Sequence, residues 1–394
     1  MPNAAPRYST LELLARLVSF NTESDRSNLA LVAFVEDYLG AWGVPFVHLP
    51  NAQGDKAAIL ATIGAGEGQS GKPGVVLSGH TDVVPVAGQA WTTDPWALRI
   101  ADGKAYGRGA VDMKGFLALA LSLVPHFLGL KLKTPIHLFM SYDEETTCLG
   151  VIDGIARFGK DMPMPLAVIV GEPTDLEIAD AHKSVVTFNT TVTGFEAHSS
   201  KPFLGANAIT MAALLITELD RIDQEMMARG DTSGRFDPAY TTVHVGKLNG
   251  GNARNILART CAFEWEFRGL PDLDPGEIPA RFRRFGDEVV LRRFANGFEG
   301  VGIETINNVS VPGLRPMPGS PAEALAMRLS AKNRTITVPY GTEAGYFQQG
   351  GAATVVCGPG SINQAHQPDE YITLQALADG EVFMRRLADW CVAN

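Results

Sequence analysis

Apolar positions along roughly the first 180 residues follow two alternating patterns, one at helical spacing and one of short unbroken runs. The segment STLELLARLVSF opens with a capping-box pair, Ser9 and Glu12, and carries Leu13, Leu14, Leu17 and Val18 on one helical face. A second helical segment, LALVAFVEDYLGAWG, is stopped by glycine. Four β-rich runs bounded by Gly, Pro or charge follow: AAILATI, GVVLSGH, PIHLFMSYDEE and LAVIVGEP. A helix, GFLALALSLVPHFL, lies between the second and third. Strands that are apolar throughout are buried on both faces, so this order predicts an α/β domain whose mostly parallel, mixed sheet is covered by helices on both sides.

From about Ser184 the pattern changes to strict alternation. SVVTFNTTVTG, TTVHVGKL and TCAFEWEFRGL read as half-buried strands; in the last, Cys261, Phe263, Trp265 and Phe267 share one face. Helical segments ANAITMAALLITELDRI and EIPARFRRFGDEVVLRRFA and a final strand VGIETINNVSV complete an α+β set, expected to be a ferredoxin-like insert. The α/β pattern resumes with AEALAMRLSAK, ATVVCGPG and LQALADGEVFMRRLADW. The expected organisation is therefore one domain of residues 1–183 and 312–394, interrupted by a second of residues 184–311.

Composition narrows the function classes. The 394 residues include 33 Lys+Arg and 43 Asp+Glu, a formal charge of −10, with no block of like charge. Nucleic acids and anionic membranes reward basic patches, so neither is an expected partner. The four cysteines, Cys148, Cys261, Cys357 and Cys391, are scattered, which suits reduced thiols in a cytoplasmic protein. The opening MPNAAPRYST lacks the layout of a signal peptide, and no apolar run reaches the roughly eighteen residues of a membrane span.

The chemistry collects where strands end. Asp143, Glu144 and Glu145 stand side by side directly after a buried run, where a charge is costly unless it is paired or holds a metal. In an open α/β sheet, ligands gather outside the carboxyl ends of the strands. The strand ends here deliver His80 and Asp82, Glu144 and Glu145, Glu172 and, after a loop, His366; Asp112 precedes a helix. Two imidazoles and several carboxylates without a thiolate favour Zn2+ or Co2+ over Mg2+. So many ligands suit two metals sharing a bridging carboxylate. Spacing alone leaves open which ligand serves which metal.

In order along the chain, SGHTDVVPV, YGRGAVDMKG, SYDEETTCLG, GEPT, AHSS and GPGSINQAHQPDEYI resemble the two-metal aminoacylase, carboxypeptidase and deacetylase superfamily. GTEAGYFQQGG and CGPGSINQAHQPDE make the chain most similar to its acetylornithine deacetylase branch. The resemblance implies that His80 and Glu172 bind one metal, Glu145 and His366 the other, and that Asp112 bridges them. Asp82 would orient the His80 imidazole. Glu144 would be the general base, taking a proton from a water acidified by the cations and returning it to the departing amine. From the inserted lid domain, His198 would stabilise the oxyanion in the partner subunit's site of a homodimer. Asn255 and Arg268 would bind substrate, the arginine by a bidentate grip on a carboxylate. Ala258 and Gly269 stand where the family pattern has proline. Glu343 would meet the cationic side chain of an acyl-amino acid such as N2-acetylornithine. Gly360 and Ser361, in GPGS, would offer backbone N–H groups to its carboxylate. Desuccinylase, general aminoacylase and carboxypeptidase activities need the same centre.

Taken singly, each motif is also an ordinary turn or cap. Their joint order at strand ends is what points to a site. His48, His126, His137 and His244 read as structural or surface residues, Cys148 as a buried thiol, and the Phe263, Trp265, Phe267 stripe as core. His182 is given no role. A non-catalytic metal-dependent scaffold would have lost a ligand or Glu144, and a thiol hydrolase built on Cys148 lacks a histidine near it in sequence.

Overall fold

The capping box at the first helix forms as its sequence requires. Ser9 Oγ accepts from the Glu12 N–H at 3.3 Å and Glu12 Oε2 accepts from the Ser9 N–H at 2.7 Å, while Leu13, Leu14, Leu17 and Val18 of Thr10–Ser19 are fully buried. The computed structural model describes residues 5–64, 71–295 and 297–394, so the first four residues of the opening segment lie outside it. Among the described residues no helix is long and apolar enough to cross a membrane.

Cα packing divides the chain into two units: residues 1–181, 316–336 and 342–394, and residues 182–315 with 337–341. The short return segment joins the second unit because Thr337 Oγ1 donates to Arg235 O at 2.7 Å and Gly341 lies against Val185.

The first unit carries strands β1 (Phe46–Pro50), β2 (Ala57–Ile63), β3 (Val75–His80), β4 (Arg99–Ala101), β5 (Lys104–Tyr106), β6 (Ile136–Ser141), β7 (Ala167–Pro173) and β8 (Ile178–His182), the last residue of which, His182, begins the second unit. The second carries β9 (Val185–Thr193), β10 (Thr242–Gly250), β11 (Thr260–Arg268) and β12 (Gly302–Val311), before β13 (Thr335–Val338), β14 (Thr354–Gly358) and β15 (Tyr371–Thr373). The large sheet has the order β1-β2-β6-β3-β7-β14-β8-β13. Its centre, β6-β3-β7-β14, is parallel, and β2 and β8 run antiparallel beside it. Every residue of β3, β6, β7 and β14 is buried, which is why these runs show no alternation. Parallel register aligns His80 with Ser141 and Pro173 with Gly358, so the carboxyl ends of the four central strands open on one rim.

Two departures from the expected elements have local causes. GFLALALSLVPHFL forms two helices, Lys114–Ser122 and Val124–Leu128, because Pro125 has no N–H to continue the ladder. A small sheet, β15-β5-β4, was not legible in the sequence, since three-residue strands carry no period.

The second unit is an antiparallel sheet of order β10-β11-β9-β12, backed by the helices Ala208–Arg229 and Glu277–Phe285. With its βαββαβ connectivity this is the ferredoxin-like arrangement. Cys261, Phe263, Trp265 and Phe267 are buried on one face of β11, and Phe188 stacks on Trp265 with ring centroids 4.2 Å apart.

Candidate metal centre

On the rim of the large sheet, two three-residue groups share one carboxylate. His80, Asp112 and Glu172 form the first; Asp112, Glu145 and His366 form the second; the candidate ligand atoms of each group lie within 4.8 Å of one another. In the first, His80 Nε2 lies 3.1 Å from Asp112 Oδ1 and 3.5 Å from Glu172 Oε1. In the second, His366 Nε2 lies 3.2 Å from Asp112 Oδ2 and 3.0 Å from Glu145 Oε2. Asp112 thus turns one oxygen to each group, the arrangement a bridging ligand requires.

The local backbone explains how these side chains meet. His80 ends β3 and Glu172 lies near the end of β7, while Glu145 follows β6 through a turn in which Asp143 is left-handed at φ 57°. That turn is pinned by an ion pair between Lys56 and Asp143. His366, after β14, is itself left-handed at φ 62°, a conformation that costs energy away from glycine and gathers at functional sites.

A divalent cation fits each group on independent grounds. Glu172 Oε1 is buried with no hydrogen-bond partner, a costly state for a carboxylate that a cation would relieve. Burial pushes Glu172 and Glu144 well above the usual carboxylate range and Glu145 to about 7, with neighbouring carboxylates adding to it. Burial also opposes the Asp112 charge, yet the hydrogen bonds from His366 and His80 outweigh it and hold Asp112 low. The same pairs raise His366 to about 10. Four carboxylates, Asp112 and Glu172 buried and Glu144 and Glu145 half-buried, thus face two imidazoles, a surplus of acidic groups that two divalent cations would offset when bound. His80 Nδ1 faces Asp82 O at 2.9 Å; with the ring donating there, Nε2, which faces Asp112 Oδ1 at 3.1 Å, is the nitrogen that would serve a metal.

Asp82 does more than face His80. Its carboxylate lies 3.5 Å from His80 Nδ1, but it accepts the N–H of Glu144 at 3.1 Å, the N–H of Glu145 at 3.2 Å and Ser24 Oγ at 2.7 Å. The orienting contact to the imidazole is made by its backbone carbonyl, while the side chain anchors the acidic turn. Glu144 belongs to neither ligand group, and Cys148 Sγ lies 3.5 Å from its Oε1. The Cys148 thiol is buried and pushed up by that burial, so it is no nucleophile.

Glu343 requires a correction. It is fully buried, and its two oxygens accept Ser78 Oγ, on β3, and Ser141 Oγ, on β6, the latter at 2.7 Å. A carboxylate enclosed and satisfied in this way is not presented to a substrate ammonium; it joins the two strands that lead into the centre. Gly360 is left-handed at φ 84°, and a Cβ there would meet Val111 at 2.6 Å, so glycine is required; Ser361 bridges Thr174. In the second unit His198 is exposed, with Ser200 Oγ 2.7 Å from its Nδ1, and Asn255 is exposed with its carbonyl accepting the Ser199 N–H at 3.0 Å. Arg268 pairs through two nitrogens with Glu266, at 3.0 and 3.2 Å. Its guanidinium is already engaged by a carboxylate.

Sequence inspection missed Arg108 and Glu370. Both are 1% exposed and form an ion pair at 2.7 Å beside the Asp112 loop. A charged residue four positions from each of two candidate ligands was the available signal.

The fold has known counterparts. Residues 76–390 match the model of peptidase family M20/M25/M40. An acetylornithine deacetylase of Pasteurella multocida is 32% identical over 399 aligned residues, covering 99% of both chains. An M20 family metallo-carboxypeptidase from Sulfolobus solfataricus superposes with a TM-score of 0.75 at 19% identity, covering 98% of this chain and 100% of the other. A Bacillus subtilis protein, described as a dinuclear metal-binding peptidase of the M20 family, superposes with a TM-score of 0.66 at 16% identity over 98% of each chain.

Proposed function

The chain belongs to the peptidase family M20/M25/M40, a hydrolase acting on amide bonds, and we propose that its reaction is deacetylation of N2-acetyl-L-ornithine to L-ornithine and acetate. The observation that carries the mechanism is the pair of ligand groups sharing Asp112, with Glu144 beside them and in neither. Chain-long likeness to acetylornithine deacetylases supports the substrate, a step in arginine biosynthesis in the cytoplasm.

His80, Asp112 and Glu172 would hold one cation and Asp112, Glu145 and His366 the other, Zn2+ or Co2+ by ligand type. When bound, the cations supply Lewis acidity that acidifies water and polarises an amide carbonyl. Glu144 takes the proton of the attacking water and returns it to the departing amine nitrogen. Asp82 keeps Glu144 in reach by fixing its backbone N–H. His198 serves the oxyanion in the other subunit of a homodimer. Arg268 exchanges Glu266 for the substrate carboxylate, with Asn255 and the backbone of Gly360 and Ser361 completing its recognition.

The test is hydrolysis of N2-acetylornithine, N-succinyl-diaminopimelate and N-acetylmethionine by metal-stripped protein, before and after addition of Zn2+ or Co2+. Metal-restored cleavage favouring acetylornithine is expected. Restoration with another preference would move the substrate within the family, and cleavage by the stripped protein would overturn the metal mechanism.

A further inference from the structure

Glu370 is the most heavily engaged buried carboxylate near the centre, yet it is not a ligand candidate. Its Oε1 accepts the N–H of Val111 at 2.9 Å and of Asp112 at 3.1 Å. Its Oε2 accepts the N–H of Gly109 at 3.0 Å and Arg108 Nη1 at 2.7 Å. Four donors on one side chain leave it no freedom. The residue reaches this place through backbone pairing, since β15 lies antiparallel to β5 and the Gly107 N–H donates to Glu370 O at 2.9 Å. The loop it holds is tight: Gly109 is left-handed at φ 80°, and a Cβ there would meet Val83 at 2.7 Å.

Arg108 extends the connection to His366, another member of the second group. Its Nη2 donates to Gln89 Oε1, and Gln89 Nε2 donates to His366 O at 2.8 Å. One chain of hydrogen bonds therefore runs from the backbone of Asp112, through Glu370, Arg108 and Gln89, to the backbone of His366. An isolated carboxylate buried to this degree is unfavourable, and the Arg108 guanidinium compensates its charge while the loop amides use its remaining lone pairs.

We propose that Glu370, with Arg108 and Gln89, is the positioning element of the metal centre, setting the separation of Asp112 and His366 that the shared ligand group needs. The proposal rests on the two-metal reading given above. Side chains that act on ligands from behind change metal affinity by about 10- to 100-fold when altered, and that size of effect is expected here.

The experiment is calorimetric titration of the metal-stripped full chain with Zn2+, with urea midpoints of the same metal-free samples measured alongside. The wild type is expected to take up two equivalents; fewer would overturn the two-metal reading and not the proposal specifically. Glu370→Gln preserves shape but turns an amide NH2 toward backbone donors. It is expected to weaken Zn2+ binding about 10- to 100-fold in protein that still unfolds cooperatively, beyond any change in midpoint. Wild-type affinity in folded Glu370→Gln would overturn the proposal. If that variant does not fold, Gln89→Leu decides, because Gln89 is only half-buried and lies outside both ligand groups. Weakening of about 10-fold at an unchanged urea midpoint would support the proposal, and unchanged affinity would overturn it.

Discussion

Glu144 and Glu145 are neighbours in sequence with different surroundings, and the turn before them is the cause. Both N–H groups are fixed on Asp82, after which the Glu145 carboxylate meets His366 and the Glu144 carboxylate turns toward Cys148. Glu144→Asp withdraws the carboxyl by one methylene without touching either ligand group. We expect kcat to fall by about 10²- to 10⁴-fold while two equivalents of metal remain bound, measured by steady-state kinetics and metal analysis. Equal loss of both would remove Glu144 as the base. The sequence named these residues because carboxylates after a buried strand are anomalous. It did not reveal the enclosure of Glu343, since Ser78 and Ser141 are separated from it by 265 and 202 residues. At Gly269, where the resemblance leads us to expect proline, the N–H donates to Ser184 Oγ at 3.2 Å, a bond proline could not make.

Among the elements, β7 shows how closely the centre depends on packing. A Cβ at Gly171, next to Glu172, would lie 2.3 Å from ring atoms of Phe116 on the helix Lys114–Ser122. Phe116 is itself 2% exposed and has no room to withdraw. Gly171→Ala should therefore cost about 1–3 kcal/mol, seen as a lower urea midpoint, and should weaken metal binding by displacing Glu172. An unchanged midpoint would show that the helix yields more readily than its burial implies. Long periodic segments such as Thr10–Ser19 and Thr260–Arg268 were legible because their patterns repeat. Strands β4, β5 and β15 were not, because each has three residues and is defined only by its partner.

For the whole molecule, one buried histidine in each unit predicts sensitivity to acid. Burial lowers both His137, which faces Thr62 Oγ1 at 2.9 Å, and His182, which lies against Lys183 O, to about 4 from the ordinary 6.5. The unfolded chain then binds more protons than the folded one between these values. Stability is thus fully present above about pH 6.5 and is lost as pH falls toward 4. Urea midpoints should decline across that window, and His137→Gln should flatten the decline. A slope unchanged in the variant would assign it to other groups.

The sequence by itself determined the fold class and the family resemblance, and it singled out the residues offered as candidate ligands. Those properties lie in local periodicity and in residue types that are costly to bury without a purpose. Residue spacing left open which carboxylate is shared, and the resemblance implied Asp112. The tertiary structure supplies the physical reason, since Asp112 faces both imidazoles from a loop that Glu370, far along the chain, holds by its backbone N–H groups. Likewise, it decided that Asp82 supports the acidic turn and that Glu343 lies enclosed between two strands. Contacts between distant segments are fixed by packing and hydrogen-bond satisfaction in three dimensions, and no local pattern encodes them.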